Sequence, residues 1–416
     1  MDRTLRFCMI TTFYPPYNFG GDGIFVHQLS NELAKRGHYV DVIHCIDSYR
    51  LLANHEPTSN YNDHPNVTVH GLKSRFGFLS PLATQQTGCP LFKSGQLKRI
   101  LEKGFDVIHY HNISLVGGPK ILEYGHGIKL YTMHEYWLVC PTHVLFRFNR
   151  KACLKPHCFF CTLTYKRPPQ WWRYSSLLES AAKKVDAFIT MSNFSREIHY
   201  QMGFKIPIVS LPPFPYWTES ILPIAEESIG QTLNQPYFLF VGRLEKLKGL
   251  QTLIPIFRRY KKAQLLIVGK GSYEPNLRKL AGNATNIQFL GHLSQRELRP
   301  LYRNAVALIV PSICFEVFPL VIIEAFSQQT PVIVRDIGGM TEIVEESGGG
   351  IAYNTEEELM TSMDRLLMEP SYRSNLGISG YEAFQSRFTA EAHLRHYLSL
   401  IKEISVNRRP QVIEIQ

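Results

Sequence analysis

Short apolar runs alternate with helix-patterned stretches twice along this chain, and that alternation restricts its fold more than any other feature. The first series opens at residues 5–13, mostly apolar and poorly alternating, as a strand buried on both faces would be. A turn-rich segment follows, Tyr14-Pro-Pro-Tyr-Asn-Phe-Gly20-Gly21-Asp-Gly23, and then a helical pattern over 24–36, stopped by Gly37 at the usual C-terminal glycine position. Strand patterns recur at 39–46, 67–70, 106–111, 129–134 and 187–191. The series then restarts. A strand at 237–241 ends in Gly242-Arg243 ahead of a helix at 250–260, and strands at 264–268, 287–290, 307–310 and 331–335 continue it. Alternation of this kind implies parallel sheets covered by helices on both faces. The expected fold class is α/β, with two doubly wound domains and a cleft between them. The first domain spans 1–210 and the second 237–388. The linker, 211–236, begins at the Pro-rich Leu211-Pro-Pro-Phe-Pro-Tyr216. Ligands of such sheets sit beyond the carboxyl ends of the strands.

A chain of 416 residues is long enough for two separate cores, and 44% hydrophobic with 19% charged residues is ordinary for a globular protein. No run approaches the ~18 uninterrupted apolar residues of a membrane span. Arg3 and Arg6 precede only a short apolar run at 7–10, which does not read as a signal peptide, so a cytoplasmic location is expected. The net charge is +10, and residues 1–205, with 24 Lys and Arg against 14 Asp and Glu, hold all of the excess. An anionic partner, either a membrane surface met peripherally or a lipid-phosphate substrate, suits that half. The alternative is a generally basic surface with no dedicated partner. No helix-turn-helix, zinc-finger or aromatic-basic recognition motif is present, so no nucleic-acid partner is expected.

The densest chemical signal is Pro311-Ser-Ile-Cys-Phe-Glu316-Val-Phe-Pro319-Leu-Val-Ile-Ile-Glu324-Ala325. An apolar strand ends at Val310, a loop carries Glu316, and a helix with Pro319 at its first position carries Glu324. Carboxylates accept hydrogen bonds from sugar hydroxyls, whereas the free N–H groups of a helix start favour phosphate. A nucleotide sugar combines both.

Gly242-Arg243-Leu-Glu-Lys-Leu-Lys248-Gly249, Val268-Gly269-Lys-Gly271, the Glu316 and Glu324 pair, Thr330-Pro331-Val332 and Gly338-Gly339-Met-Thr-Glu342 follow one another in order. This arrangement resembles the GT-B glycosyltransferases of family 4, which are retaining enzymes with two Rossmann-like domains. The Gly20-Gly21 loop, the Asp106-Val-Ile-His109-Tyr-His111 strand and the strand ending at His134 extend the resemblance across the first half. The resemblance implies that Arg243 and Lys248 stabilise the departing diphosphate. Two fixed cations in one strand-to-helix loop suit that task without a metal ion. It further implies that Glu324 holds the ribose, that Glu316 contacts the donor sugar near its reacting carbon, and that His134 lies against that sugar. Phe318, Pro319, Leu320 and Val321, at the helix start, read as the phosphate-binding segment, and Gly20 and Gly21 as a loop letting backbone approach the ligand. The implied catalytic set is Glu316, His134, Arg243 and Lys248. The fold also implies that the terminal segment, 389–416, packs back across the first domain. Two departures stand out: Ser327-Gln328-Gln329 lacks the usual glycine before Thr330, and Pro212-Pro213-Phe214 replaces an asparagine-glycine turn.

The expected activity is transfer of a sugar from a UDP- or GDP-sugar to a glycan or lipid-linked acceptor, as in polysaccharide assembly, with no cofactor needed for catalysis. The alternatives are a non-catalytic nucleotide-sugar-binding protein and a GT-B sugar-nucleotide epimerase. One feature lies outside the resemblance. Cys140, Cys153, Cys158 and Cys161, spaced C-x12-C-x4-C-x2-C, crowd a basic, aromatic insert at 138–170. In a reducing compartment such a quartet suits a structural zinc, with His143 or His157 as spare donors, or else remains four reduced thiols.

Overall fold

The structure is a computed structural model describing residues 3–53, 56–57, 61–215 and 235–408. Two all-parallel sheets form its frame. The first holds β1 (Arg6–Ile10), β2 (Tyr39–Cys45), β3 (Val67–Leu72), β4 (Val107–Tyr110), β5 (Ile128–Thr132), β8 (Ala187–Thr190) and β9 (Ile208–Ser210), in the order β3-β2-β1-β4-β5-β8-β9. Between β5 and β8 the two-residue strands β6 (Phe146–Arg147) and β7 (Lys151–Ala152) pair antiparallel, outside both large sheets. The second sheet holds β10 (Tyr237–Val241), β11 (Gln264–Val268), β12 (Ile287–Gly291), β13 (Ala307–Val310), β14 (Val332–Arg335) and β15 (Gly350–Tyr353), in the order β12-β11-β10-β13-β14-β15.

The continuous apolar strands follow from burial on both faces. Successive side chains point to opposite sides of a sheet. In β1, Phe7 and Met9 enter one core with Val40, Val42 and Leu130, whereas Cys8 and Ile10 enter the other with Ile43 and Ile108. In β10, Phe238 and Phe240 divide in the same way from Tyr237 and Leu239. Strand order reverses beside β1, which lies between β2 and β4, and beside β10, which lies between β11 and β13. Such switch points leave a crevice at the carboxyl ends. Those ends carry Thr12, His111 and Asn112 in the first domain, and Arg243 and Ser312 in the second.

Two boundaries differ from the sequence reading. The first helix is Gly21–Lys35, three residues longer at its start than the apolar pattern indicates. Its first turn absorbs Gly21-Asp22-Gly23, and Gly23 is there for space: a Cβ would lie 2.8 Å from the Phe13 carbonyl oxygen. Pro319 precedes its helix rather than opening it. It is extended at ψ 102, and the helix is Leu320–Phe326.

The terminal helix Ala390–Arg408 lies on the first domain, although it follows the second in sequence. Leu394, Tyr397 and Ile401 join the core built around Phe7 and Val107, and Arg36 reaches Glu391 at 2.8 Å. Leu211 and Phe214 from the start of the linker are buried in the same core. The rest of the expected linker, 216–234, and the tail, 409–416, lie outside the described residues. Among the described residues no helix is long and apolar enough to cross a membrane.

The missing glycine before Thr330 has a local consequence. Gln329 takes the left-handed conformation, φ +57, that ends the helix, while the Gln329 and Thr330 amides donate to the Phe326 and Ala325 carbonyls, each at 3.0 Å. A side chain is strained there and glycine is not. Gln329→Gly is therefore expected to stabilise the protein by roughly 0.5–1 kcal/mol. Calorimetry should show a small rise in Tm, and a fall would contradict this account of the helix end.

Candidate active site

On the second-domain side, the chain leaves β10 through Gly242 and reaches Gly249 at φ +79, packed so closely on the end of β13 that a Cβ would collide with the Pro311 carbonyl. Only glycine fits, and the close approach lays Lys248 beside the loop that follows β13. There Lys248 Nζ lies 2.7 Å from Glu316 Oε1, and Ser312 Oγ donates to the same oxygen at 2.7 Å. The pair is largely sheltered, its side chains 24% and 14% exposed. Burial by itself pushes the Glu316 carboxyl up. The Lys248 charge and the hydrogen bonds from Lys248 and Ser312 outweigh it and hold the group below the usual carboxylate range. Burial likewise works against the Lys248 ammonium, but Glu316 more than compensates and raises it. Arg243 is exposed at the rim, near enough for its charge to favour ionised Glu316.

Glu324 sits inside the helix Leu320–Phe326, where the Tyr302 hydroxyl donates to its Oε2 at 2.8 Å. Burial pushes this carboxyl up, and the Tyr302 bond offsets only part of the effect. The two glutamates, eight positions apart in sequence, thus have opposite electrostatic settings.

On the first-domain side, Gly20 is extended and caps the helix that Gly21 begins. A Cβ at Gly20 would meet only Asp22 Oδ1, and one at Gly21 only Leu320 Cδ1, each at 3.6 Å. Neither glycine is required by its own backbone or by packing. The absent side chains keep the space between two helix starts, Gly21 and Leu320, small and open. The Leu320 side chain thus comes near Gly21, so the starts of the two helices lie close together, and the first N–H groups of a helix lack intrahelical partners.

His134 lies two residues beyond β5, its ring centroid 5.3 Å from that of Phe25 and its Nε2 2.9 Å from His111 Nδ1. The His111 ring lies 4.0 Å from His109, whose Nε2 pairs with Thr132 Oγ1 at 2.7 Å and whose Nδ1 pairs with the Tyr397 hydroxyl at 2.9 Å. Burial pushes His134 down to about 4, against a smaller opposing effect from the Asp22 carboxylate. It also drives His109 and His111 well below the ordinary histidine range. The rings are therefore neutral near pH 7, each with one donor and one acceptor nitrogen. Asp22 itself accepts from Asn112 Nδ2 at 3.2 Å.

The two sides touch at the base of the cleft. Ser192 Oγ donates to the Val317 carbonyl at 2.9 Å, and the Tyr136 hydroxyl to the Glu316 carbonyl at 3.4 Å. The Glu342 carboxylate accepts from the amides of Asn193 and Phe194, at 2.8 and 2.6 Å. A glutamate of the second domain thus caps the helix Asn193–Gln201 of the first.

The sequence-predicted residues gather unevenly. Lys248, Glu316 and the helix start at Leu320 and Val321 lie on one wall of the cleft, Gly20, Gly21 and His134 belong to the other, and Glu324 is half-buried one turn into the helix Leu320–Phe326. Lys248 is ion-paired with Glu316 at 2.7 Å, and Arg243 is exposed close enough for its charge to act on both. The four insert cysteines line a small cavity of their own. Sequence reasoning missed Ser312, Tyr302, Asp22 and Tyr397, and noted Glu342 only as part of a motif. Asp22, set between glycines at a helix start, carried a readable signal. Tyr397 carried none.

Two doubly wound domains meeting at a charged cleft define the class of GT-B glycosyltransferases. The chain belongs to this family, group 1: the description "Glycosyl transferases group 1" matches residues 224–383, and "Glycosyltransferase Family 4" matches residues 19–214. It is 33% identical over 405 residues to an uncharacterized glycosyltransferase of Methanocaldococcus jannaschii, covering 89% of this chain and 90% of that relative. It is 23% identical over 436 residues to the alpha-maltose-1-phosphate synthase of Mycolicibacterium smegmatis, covering 96% of this chain and 100% of that one. Among solved structures, sucrose-phosphate synthase from Thermosynechococcus elongatus shares the fold with a TM-score of 0.73 at 19% identity, over 97% of this chain and 100% of that chain. Anabaena HepE in complex with UDP and glucose does so with a TM-score of 0.67 at 17% identity, over 96% and 100%. The protein is an enzyme that transfers glycosyl groups.

Proposed function

We propose that this enzyme moves a sugar from a UDP- or GDP-sugar to a glycan or lipid-linked acceptor, with retention of anomeric configuration. The observation that carries the reading is the sheltered Lys248–Glu316 pair on the loop that leads into the helix start at Leu320, whose side chain approaches Gly21 of the first domain. A nucleoside diphosphate needs fixed positive potential, and a sugar needs a buried, ionised acceptor of hydrogen bonds; this cleft has both. Lys248 and Arg243 take up the charge that develops on the leaving diphosphate. Glu316, kept ionised, grips the sugar, Glu324 holds the ribose, and neutral His134 contributes a hydrogen bond without adding charge. The acceptor enters from the first domain and attacks on the face that the diphosphate leaves. A GT-B structure with UDP and glucose bound, that of Anabaena HepE, supports the choice of ligand class.

The acceptor is proposed to lie at a membrane surface. Between Glu135 and Glu179 the chain has no acidic residue, yet it carries Arg150, Lys151, Lys155, Lys166 and Arg167. Phe159, Phe160, Leu163 and Trp171 are exposed among them. Exposed basic and aromatic side chains within one segment suit an anionic lipid interface.

A panel of UDP- and GDP-sugars tests the reading through thermal shift. At one hundred times Kd a ligand stabilises its protein by about 2.7 kcal/mol. One nucleotide class should raise Tm in the intact protein and much less in Glu324→Ala, with product formation following in the presence of acceptor. Protection that is equal in both proteins would place the nucleotide elsewhere. Flotation with vesicles of anionic phospholipid, compared with neutral ones, tests the membrane component.

A further inference from the structure

We propose that Cys140, Cys153, Cys158 and Cys161 bind one zinc ion, which pins the insert beside the loop that carries Glu316. The four residues come from three separate pieces of backbone. Cys140 precedes the β6–β7 hairpin, Cys153 follows it, and Cys158 and Cys161 lie three apart on one face of the helix Cys158–Thr164. All four line a single cavity of about 20 Å³. That is room for about one small occupant. All four thiols are free of disulfides.

The surroundings suit thiolate ligation. The Phe148 amide donates to Cys161 Sγ at 3.3 Å, and Thr142 Oγ1 lies 3.2 Å from Cys140 Sγ. Hydrogen bonds to sulfur orient ligands and stabilise their charge. Four thiolates around a divalent cation leave a net charge of about −2, and Arg147, which lines the cavity, supplies compensating charge. Of the spare donors, His143 is engaged by Glu135 at 2.6 Å, whereas His157 lines the same cavity as the four cysteines and is a fifth candidate donor. Among the described residues no three His, Cys, Asp or Glu side chains are already drawn together as a metal site. Binding must therefore pull the sulfurs inward, to about 2.3 Å from the ion.

The insert has reason to need such a cross-link. His143, Leu145, Phe148 and Asn149 all have positive φ, from 44 to 75, although none is glycine. Backbone of this kind persists only where its surroundings over-determine it. Regular structure here amounts to two two-residue strands and one short helix, and the apolar cluster containing Cys140 and Cys153 is completed from outside the insert, by Met191, Ile198 and Val317. Val317 adjoins Glu316, and Lys246 Nζ donates to the Asn149 carbonyl at 3.1 Å. Metal in the insert would thereby hold the Glu316 loop from behind. This last step rests on the proposed function, whereas metal binding does not.

Full-length protein purified with zinc under reducing conditions should carry one zinc per chain by elemental mass spectrometry. Exchange into cobalt should produce the charge-transfer and visible bands of a tetrahedral thiolate site. Cys158→Ser and Cys161→Ser should abolish both signals, and Cys89→Ser should keep them. If the ligand variants fail to fold, chelation of the wild-type protein decides: loss of the metal should lower Tm by roughly 5 °C or more. Reduced protein that takes up no cobalt, or a chain found with two disulfides in the insert, overturns the proposal. A metal-loaded protein that bound no nucleotide would instead count against the proposed function alone.

Discussion

Lys248→Ala is expected to slow glycosyl transfer by about 10²–10³-fold, the usual effect of removing one fixed group from a developing charge in a sheltered site. The ammonium is held 2.7 Å from Glu316 and only 24% exposed, so bulk water screens it less than a surface lysine. Its loss acts twice. The diphosphate loses a cation, and Glu316 loses the charge that offsets its burial, so the carboxyl shifts upward and is protonated more readily as pH falls. The variant should therefore lose further activity towards low pH, where the wild type does not. Glu316→Ala should cost a similar factor, and the double variant much less than the product of the two, because the residues act as a unit. Each single variant also leaves one half-sheltered charge unpaired, at a cost of about 1–3 kcal/mol once discounted for partial exposure. Steady-state rates measured well below each variant's Tm separate chemistry from stability. Near-wild-type turnover by Lys248→Ala would remove the central role assigned to the pair.

Acidification is expected to unfold the protein in the window from about pH 6.5 to 4. Burial pushes His44, His134, His199 and His393 each down to about 4, whereas an unfolded histidine titrates near 6.5. Across that window the unfolded chain binds protons that the folded chain excludes, so stability falls as pH falls. Above about pH 6.5 both states are neutral at these sites and the full stability remains. Each histidine contributes on the order of 3 kcal/mol, and the four together on the order of 10 kcal/mol, as much as a typical domain possesses. The carboxylates held down by partners, such as Glu316 and Glu32, release their contribution only on passing below the ordinary carboxylate range, so the histidines act first. Urea titrations followed by circular dichroism at pH 7.5, 6 and 5 provide the measurement. Equal midpoints at all three values would show that the buried rings do not control acid stability.

The division between what sequence and tertiary structure decide is clear in particular elements. The strand at 237–241 was legible because each of its residues must be apolar to satisfy two cores at once. The order of motifs from Gly242 to Glu342 placed Lys248, Glu316 and Glu324 in the second domain, because glycine, helix-start and carboxylate requirements are local and leave local traces. The helix at Gly21 was read three residues short for the complementary reason: its glycines resemble a turn until the packing against Phe13 is seen.

By itself, then, the sequence determined the parallel α/β frame, the two-domain division and the residue types at the strand ends, since burial and backbone conformation act on neighbouring positions. Which partner each polar group takes was decided only in three dimensions. Lys248 meets Glu316 across 68 positions, Glu342 caps Phe194 across 148, and Tyr397 reaches His109 across 288. No local period encodes such distances. They are set by how two sheets and a returning helix pack, and that packing fixes the charge state of the site.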